Sequence, residues 1–379
     1  MSTKAPPEEA IPLLDLGAVH REMETELGAD FQRVLRSGQF ILGPEHDAFE
    51  AELGRASGVR HAIGLASGTA ALSLALQALG VERGDEVVVP AFTYFASASA
   101  VTSIGARPVF ADVEPERFGL DPERVEAAIT PRTRAIMAVH LYGLACDLDP
   151  LLVIASRRTI PVLEDAAQAI GATDRGHPVG TRSAGATLSF FPTKNLGGLG
   201  DGGALLTEDD AYAARVKLLR VHGDAGNYAH VALGTNARLD ALQAAFLRTK
   251  LRRLPAWTEA RRAIAARYRE ALAGVPVALP SEPDGTRHTY HQFTIRAPRR
   301  DALMARLRER AIASRVYYPS ILPAQPCFAF LGHRPGEFPV SERLASEVLS
   351  VPIYPGLTAR QVDRIAETIR GFYAEDGNR

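Results

Sequence analysis

The sequence predicts an α/β fold, in which a large domain with a mostly parallel sheet sandwiched by helices is followed by a smaller α+β C-terminal domain. Three observations carry this reading. The chain has 379 residues, beyond the ~250–300 at which a single core stops growing. From residue 61 onward, short apolar runs alternate with helix-length amphipathic stretches. The apolar runs are continuous rather than alternating with polar residues, which marks parallel strands covered on both faces.

Taken in order, the stretch up to Arg36 reads as a helix packed back on one of the lobes. HAIGLA then reads as a strand, GTAALSLALQALG as a helix, DEVVVP as a strand and FASASAVTSIGA as its helix. PVFADV, the polar helix at DPERVEAAI, and AIMAVH continue the alternation, and PVLEDAA and ATLSFF extend the sheet. After Asp201 to Leu206 helical patterns dominate: DDAYAARVKLLRVHG, NARLDALQAAFLRTKLRRL and PAWTEARRAIAARYREALAG. The Pro/Gly/Asp-rich stretch from Pro276 to Arg287 marks a boundary, dividing residues 1–275 from 276–379. The second unit reads as strand (HTYHQFTIR), helix (RDALMARLRERA), strand (SRVYYP), helix (SERLASEVLS) and final helix (TARQVDRIAETIRGFY).

Composition narrows the function. A formal net charge of -1 leaves no electrostatic footprint for nucleic acid. Cys146 and Cys327 are the only cysteines, which supports neither a disulfide framework nor a Cys-based metal site and fits a reducing cytoplasm. The N-terminal MSTKAPPEEAIPLLDLG lacks the apolar core of a signal peptide, and no run reaches the ~18 apolar residues of a membrane span. A cytoplasmic protein without membrane or nucleic-acid partners is expected.

In a parallel α/β sheet, ligands bind outside the carboxyl ends of the strands, so polar residues there come first. Lysine is scarce: Lys4, Lys194, Lys217 and Lys250 are all there are. Lys4 sits in a polar tail, and Lys217 and Lys250 lie in arginine-rich amphipathic helices, where a solvated basic face is expected. Lys194 follows the apolar TLSFF and precedes NLGGLGDGG, a glycine-rich turn that lets backbone approach a ligand closely. It reads as a catalytic or phosphate-binding lysine, with a surface-loop lysine as the alternative. Asp165 ends the strand in VLEDAAQA. A carboxylate there balances a buried cation, and beside pyridoxal 5′-phosphate (PLP) it keeps the ring nitrogen protonated and the ring electron-accepting. Its alternative is a helix cap. Ser67, Gly68 and Thr69 open a helix with free N–H groups and a positive dipole end suited to phosphate, although SGT is also an ordinary N-cap. Ser189, on the strand leading to Lys194, offers a hydroxyl to the same phosphate or is a structural serine. In PAFTYFAS, Tyr94 or a neighbouring Phe stacks on a flat ring or belongs to the core.

These segments occur in one order, SGTAAL, PAFTYFAS, VHLYG, EDAAQAIGA, SFFPTKNLGGLGDGGA and GTNARLDALQAA. With them the chain resembles the DegT/StrS-type sugar-nucleotide aminotransferases, of the aspartate-aminotransferase fold (fold type I), from GQFILGPE to FPVSERLASEVLSVPIYP. The resemblance implies PLP as cofactor, with Lys194 as the Schiff-base lysine, Asp165 on the pyridine nitrogen and Gln168 beside the phenolic oxygen. It implies that Tyr94 stacks on the ring and that Gly68, Thr69 and Ser189 hold the phosphate. Asn236 would reach that phosphate from the other subunit of a homodimer with shared sites. Related dehydratases carry His in place of the lysine, so Lys194 favours amino transfer.

The resemblance further implies ping-pong transfer from L-glutamate to a nucleotide-linked keto-sugar. FPTKNLGGLGDGGA and GTNARLDALQAAFLRTKLRRL resemble the subgroup acting at C3 of dTDP-3-keto-6-deoxyhexoses, whereas 4-keto enzymes more often have glutamate where Asp201 stands. A neighbouring subgroup making 3-amino derivatives of UDP-N-acetylglucosaminuronic acid has similar motifs. Many members read HYPxPLHxQP where this chain has YYPSILPAQP, so Tyr317 and Pro323 replace two histidines beside the sugar. His222, Tyr317 and Tyr318 are the candidate substrate contacts. His140 is expected to be a satisfied structural residue, and Arg238 to cap or brace the following helix. A PLP-binding regulator is the rival class, but no DNA-binding module is appended and the lysine is kept. No GxGxxG follows the first strand, which disfavours a nicotinamide enzyme.

Overall fold

The computed structural model describes residues 9–376. The chain begins with α1 (Leu16–Arg21), α2 (Glu24–Ser37) and α3 (Pro44–Ser57). The alternating region follows as β1 (His61–Leu65), α4 (Gly68–Ala78), β2 (Glu86–Pro90), α5 (Ala96–Ser103), β3 (Arg107–Ala111), α6 (Pro122–Ala128), β4 (Thr133–Val139), α7 (Asp149–Arg158) and β5 (Val162–Asp165). A two-residue hairpin, β6 (Thr173–Asp174) and β7 (His177–Pro178), precedes β8 (Gly185–Ser189) and β9 (Gly203–Thr207). Then come α8 (Asp210–Leu219), α9 (Ala241–Leu251), α10 (Leu254–Ala271), β10 (Phe293–Arg296), α11 (Arg300–Glu309), α12 (Pro339–Glu347), β11 (Val348–Val351) and α13 (Ala359–Asp376).

Seven strands form the main sheet in the order β1-β9-β8-β5-β4-β2-β3. Parallel pairing runs unbroken from β3 through β2, β4 and β5 to β8. Only β9 runs against both of its neighbours. The expected α/β class and mostly parallel sheet are therefore present. The residues explain it: all five positions of β2 are buried, as a strand covered on both faces requires, and α4 buries Ala71, Leu72, Leu74, Ala75 and Leu76 against the sheet.

A second core gathers Tyr268, Phe293, Leu303, Ile365 and Ile369 around the antiparallel pair β10 and β11. It includes Ile264, Ala265 and Tyr268 of α10, so this core recruits a helix that lies before Pro276. The N-terminal segment touches both cores. Ile11 bridges to Ile312 beside the second core, while Val34 of α2 packs on Ala241 and Ala245 of α9. That corrects the expectation of one helix on one lobe.

Two further local expectations are corrected. SERLASEVLS is not helical throughout: α12 stops at Glu347, and Val348–Val351 becomes β11, with Ile295 opposite Leu349 and Thr294 opposite Ser350. A cross-strand bond between Thr294 Oγ1 and Ser350 Oγ at 2.8 Å reinforces the pairing. SRVYYP is not a strand but an irregular connection, tied to β11 by the Arg315–Ser350 bridge. Asp112, just after β3, fastens the second lobe's α12 to the first. Its buried carboxylate accepts from Val340 N and Ser341 N, both at 2.9 Å, and from Ser341 Oγ at 2.5 Å. Among the described residues, no helix is long and apolar enough to cross a membrane, and no group of His, Cys, Asp and Glu is placed to hold a metal ion.

Candidate active site

Parallel strands bring their carboxyl ends to one edge, and the chemistry-bearing residues stand there. β1 leads through Ser67 into α4, β2 leads to Tyr94, β5 ends on Asp165, and β8 ends on Ser189, five residues before Lys194.

The turn carrying Lys194 closes on itself. Lys194 N donates to Phe191 O at 2.8 Å, and Gly198 N to Phe190 O at 2.7 Å. A Cβ on Gly197 would lie 2.3 Å from Pro192 O, so only glycine fits there. Asn195 Nδ2 anchors the turn to the second lobe through Thr289 O at 2.9 Å. Burial of the Lys194 amine lowers its pKa to about 8, against the opposing pull of the Asp165 carboxylate. With that pKa roughly a tenth of the amine is unprotonated at neutral pH, a far larger share than an ordinary lysine offers as nucleophile or base. In the cofactor-free protein, amine-selective labelling of Lys194 is expected to titrate with a midpoint near pH 8. Peptide mass spectrometry across a pH series measures this, and a midpoint at the ~10.4 of an unperturbed lysine would contradict it.

Asp165 is 5% exposed. Its Oδ2 accepts from Ser97 Oγ at 2.7 Å and its Oδ1 from Ala167 N at 3.1 Å, and Ser97 is in turn 3.2 Å from Thr93 Oγ1. The side chain is thereby locked, with its charge near enough to act on the Lys194 amine. Gln168 is oriented just as firmly: its Oε1 accepts from Tyr142 N at 2.8 Å and its Nε2 donates to Tyr318 Oη at 3.1 Å. The Tyr142 hydroxyl donates to the Tyr317 carbonyl, so the first lobe fixes the backbone of both candidate tyrosines of the second. Burial pushes the Tyr318 phenol well above its ordinary range. Tyr94 is 54% exposed, with its ring centroid 5.8 Å from that of Tyr318, and keeps a face open for a planar ligand.

The phosphate candidates also come together. A Cβ on Gly68 would lie 2.8 Å from Ser189 Cβ, so the start of α4 and the end of β8 are in contact through a glycine gap. Ser67 caps α4 by accepting from Ala70 N at 3.1 Å, leaving the helix's other first-turn N–H groups for an anion. Thr69 is exposed beside them. Asn236 and His222 lie on an exposed arm, where Asn236 pairs by backbone with Val221 and His222 N donates to Thr235 O at 3.1 Å. Among the described residues, neither side chain bonds to the Lys194 cluster.

His140 behaves as a satisfied structural residue. It is fully buried, its Nδ1 accepts from Cys146 N at 3.1 Å, and its Nε2 meets Glu164 Oε2 at 2.7 Å. With Nδ1 accepting from Cys146 N, the proton on Nε2 points at the Glu164 carboxylate. Arg238 does not cap the following helix, whose N-cap is Asp240; its backbone instead pairs with Leu65 at the end of β1. The solvated-face expectation for Lys250 is corrected: it is 2% exposed, and Nζ donates to Gly197 O at 2.7 Å. Sequence reasoning also missed Ser97 and Tyr142. The hydroxyl pair Thr93 and Ser97 in PAFTYFAS, one helical turn apart, was the available signal for the first.

A glycine-gapped helix start beside a serine, an aromatic with a free face, a locked carboxylate and a desolvated lysine amine fit the phosphate, ring and ring nitrogen of PLP. The fold and this site define an aminotransferase. The chain belongs to the DegT/DnrJ/EryC1/StrS aminotransferase family, whose model matches residues 21–370. It is 46% identical over 366 residues to a protein of Geobacillus stearothermophilus named pleiotropic regulatory protein, covering 96% of this chain and 98% of that one. It is 45% identical over 361 residues to the dTDP-3-amino-3,4,6-trideoxy-alpha-D-glucose transaminase of Streptomyces venezuelae, covering 95% of each. Among solved structures, S. venezuelae DesV superimposes with a TM-score of 0.94 at 44% identity, over 97% of this chain and 99% of that one. The PLP form of the putative sugar aminotransferase Spr1654 of Streptococcus pneumoniae gives 0.88 at 26% identity, over 98% and 99%.

Proposed function

We propose that this chain, acting in the cytoplasm as a PLP-dependent homodimer, transfers an amino group from L-glutamate to C3 of a dTDP-3-keto-6-deoxyhexose, giving a dTDP-3-amino sugar. The observation that carries the reading is the convergence at neighbouring strand ends of the locked Asp165 on β5 and Ser189 on β8, the latter against Gly68 and five residues before Lys194, whose amine feels the Asp165 charge. When bound, PLP accepts the electron pair released as the donor's α-proton leaves. Everything else falls to the protein. Lys194 takes that proton and returns it one carbon further on, as a base of lowered pKa can. Asp165, held by Ser97, is the counterion of a protonated ring nitrogen. Gly68, Thr69, Ser189 and the start of α4 hold the phosphate dianion. Gln168 faces the phenolic oxygen, and Tyr94 covers the ring.

Donor and acceptor occupy the same site in turn, the keto acid leaving while the enzyme keeps the amino group in its amino form, which makes the kinetics ping-pong. Asn236 on its exposed arm completes the phosphate site of the partner subunit in this reading. The exposed apolar side chains of Phe31, Leu35, Phe40 and Ile41, and of Tyr228 and Leu233 on the arm, support a homodimer. The name of the S. venezuelae relative and Asp201 in GLGDGGA support C3. His222, Tyr317 and Tyr318 would meet the sugar. Retention of Lys194 and Asp165 supports turnover rather than a purely regulatory role, whatever the name of the Geobacillus relative.

The test is a half-reaction assay in which the enzyme, first converted to its amino form with L-glutamate, is offered dTDP-3-keto, dTDP-4-keto and UDP-3-keto sugars. The 3-keto dTDP sugar is expected to discharge it at least about tenfold faster than the others, equivalent to about 1.4 kcal/mol of discrimination. Turnover of the 4-keto sugar alone would overturn the C3 assignment, and faster discharge by the UDP sugar would move it to the neighbouring subgroup.

A further inference from the structure

The turn that carries Lys194 is gripped from behind by one helix. On α9, Gln243 and Lys250 are seven residues apart, two helical turns, and so share a face. Gln243 Oε1 accepts from Leu199 N at 2.8 Å, and Lys250 Nζ donates to Gly197 O at 2.7 Å. Gly197 itself is pressed against Pro192, two residues before Lys194. A hold on the Gly197 peptide is therefore a hold on both sides of the lysine. Lys250 makes one further contact, with His20 Nε2 of α1 at 3.0 Å.

Lys250 is a costly residue for this place. It is 2% exposed, no carboxylate among the described residues is a hydrogen-bond partner, and burial lowers its pKa to about 8. A methionine would fill the same volume without the desolvation of an amine. What methionine lacks is the donor to Gly197.

We propose that Lys250 is a positioning residue for Lys194: its bond to the Gly197 carbonyl sets the turn, and so the place of the Lys194 amine. The proposal rests on Lys194 being the reactive lysine of the proposed function. With Lys250 gone, the turn loosens, water reaches the Lys194 amine, and the amine returns toward ordinary lysine behaviour.

The test compares full-length wild type, Lys250→Met and Lys250→Gln. In the cofactor-free proteins, the pH midpoint of Lys194 labelling is expected to rise from about 8 in Lys250→Met and to lie between the two in Lys250→Gln, which keeps a donor. In the PLP-loaded enzymes, the rate constant of the L-glutamate half-reaction is expected to fall about 10- to 100-fold in Lys250→Met, with a smaller change in donor KM, as for a misplaced reacting group. A folded Lys250→Met with wild-type midpoint and rate overturns the proposal, as does a rate that falls only in step with the folded fraction. Should Lys250→Met not fold, hydrogen–deuterium exchange of residues 190–202 in Lys250→Gln decides: faster exchange than wild type supports the proposal and unchanged exchange overturns it. Labelling and exchange need neither cofactor nor substrate, so they remain readable if the proposed reaction is wrong.

Discussion

Asp165→Asn is expected to lower turnover about 10²- to 10³-fold, the loss seen when one electrostatic partner of developing charge is removed, while the protein still folds and still binds PLP. Asparagine keeps the shape of the side chain, and its carbonyl can accept from Ser97 Oγ, which donates to Asp165 at 2.7 Å in the wild type. What disappears is the negative charge. Two consequences follow, and their signs are fixed. A ring nitrogen without its counterion loses its proton more readily and draws electrons less well. The Lys194 amine, whose pKa Asp165 raises against the effect of burial, moves further below about 8. Steady-state kinetics together with the pH titration of Lys194 labelling check both, and a turnover within threefold of wild type would place Asp165 outside the chemistry.

Lys194→Ala is expected to lose turnover about 10⁴-fold or more, the upper range for removal of a general acid–base group, with covalent attachment lost as well. The near-violet absorbance that appears when PLP is added to wild type should be absent. Thermal unfolding should not show the collapse expected of a core residue, because the main interactions of the turn run through its neighbours. Asn195 reaches Thr289, Leu199 reaches Gln243, and Gly198 reaches Phe190. Removing the Lys194 side chain leaves all three in place. Loss of activity with the same Tm is thus the expected pair of results.

Much of the site could be read from the chain because it depends on local order. Lys194 stood out as a rare cation between an apolar strand and a glycine-rich turn, and Asp165 as a carboxylate ending a buried strand. A parallel sheet places such residues on one edge by its topology, so the order of motifs sufficed to group them. What escaped depends on contacts between residues distant in sequence. Lys250 has the surroundings of a solvated helix face in RTKLRRL and is buried only because the Gly197 turn and α1 close over it. Ser97 shows in the sequence only as a hydroxyl one turn from Thr93, and its partner is set when β5 brings Asp165 beside it, 68 residues later. The run SERLASEVLS keeps a helical period to its end, and only pairing of Leu349 with Ile295 makes its last residues a strand. Local periodicity could not report that partner.

The central claim is that Lys194 is the residue that carries the cofactor. Reducing the PLP-loaded enzyme with borohydride, digesting it and mapping the pyridoxyl-modified peptide by mass spectrometry tests this directly. The modification is expected on Lys194 alone, within the segment SFFPTKNLGG, and to vanish when L-glutamate is added before reduction. A modification on Lys217 or the buried Lys250 with Lys194 untouched, or a Lys194→Ala protein that still yields a reducible chromophore, would contradict the account.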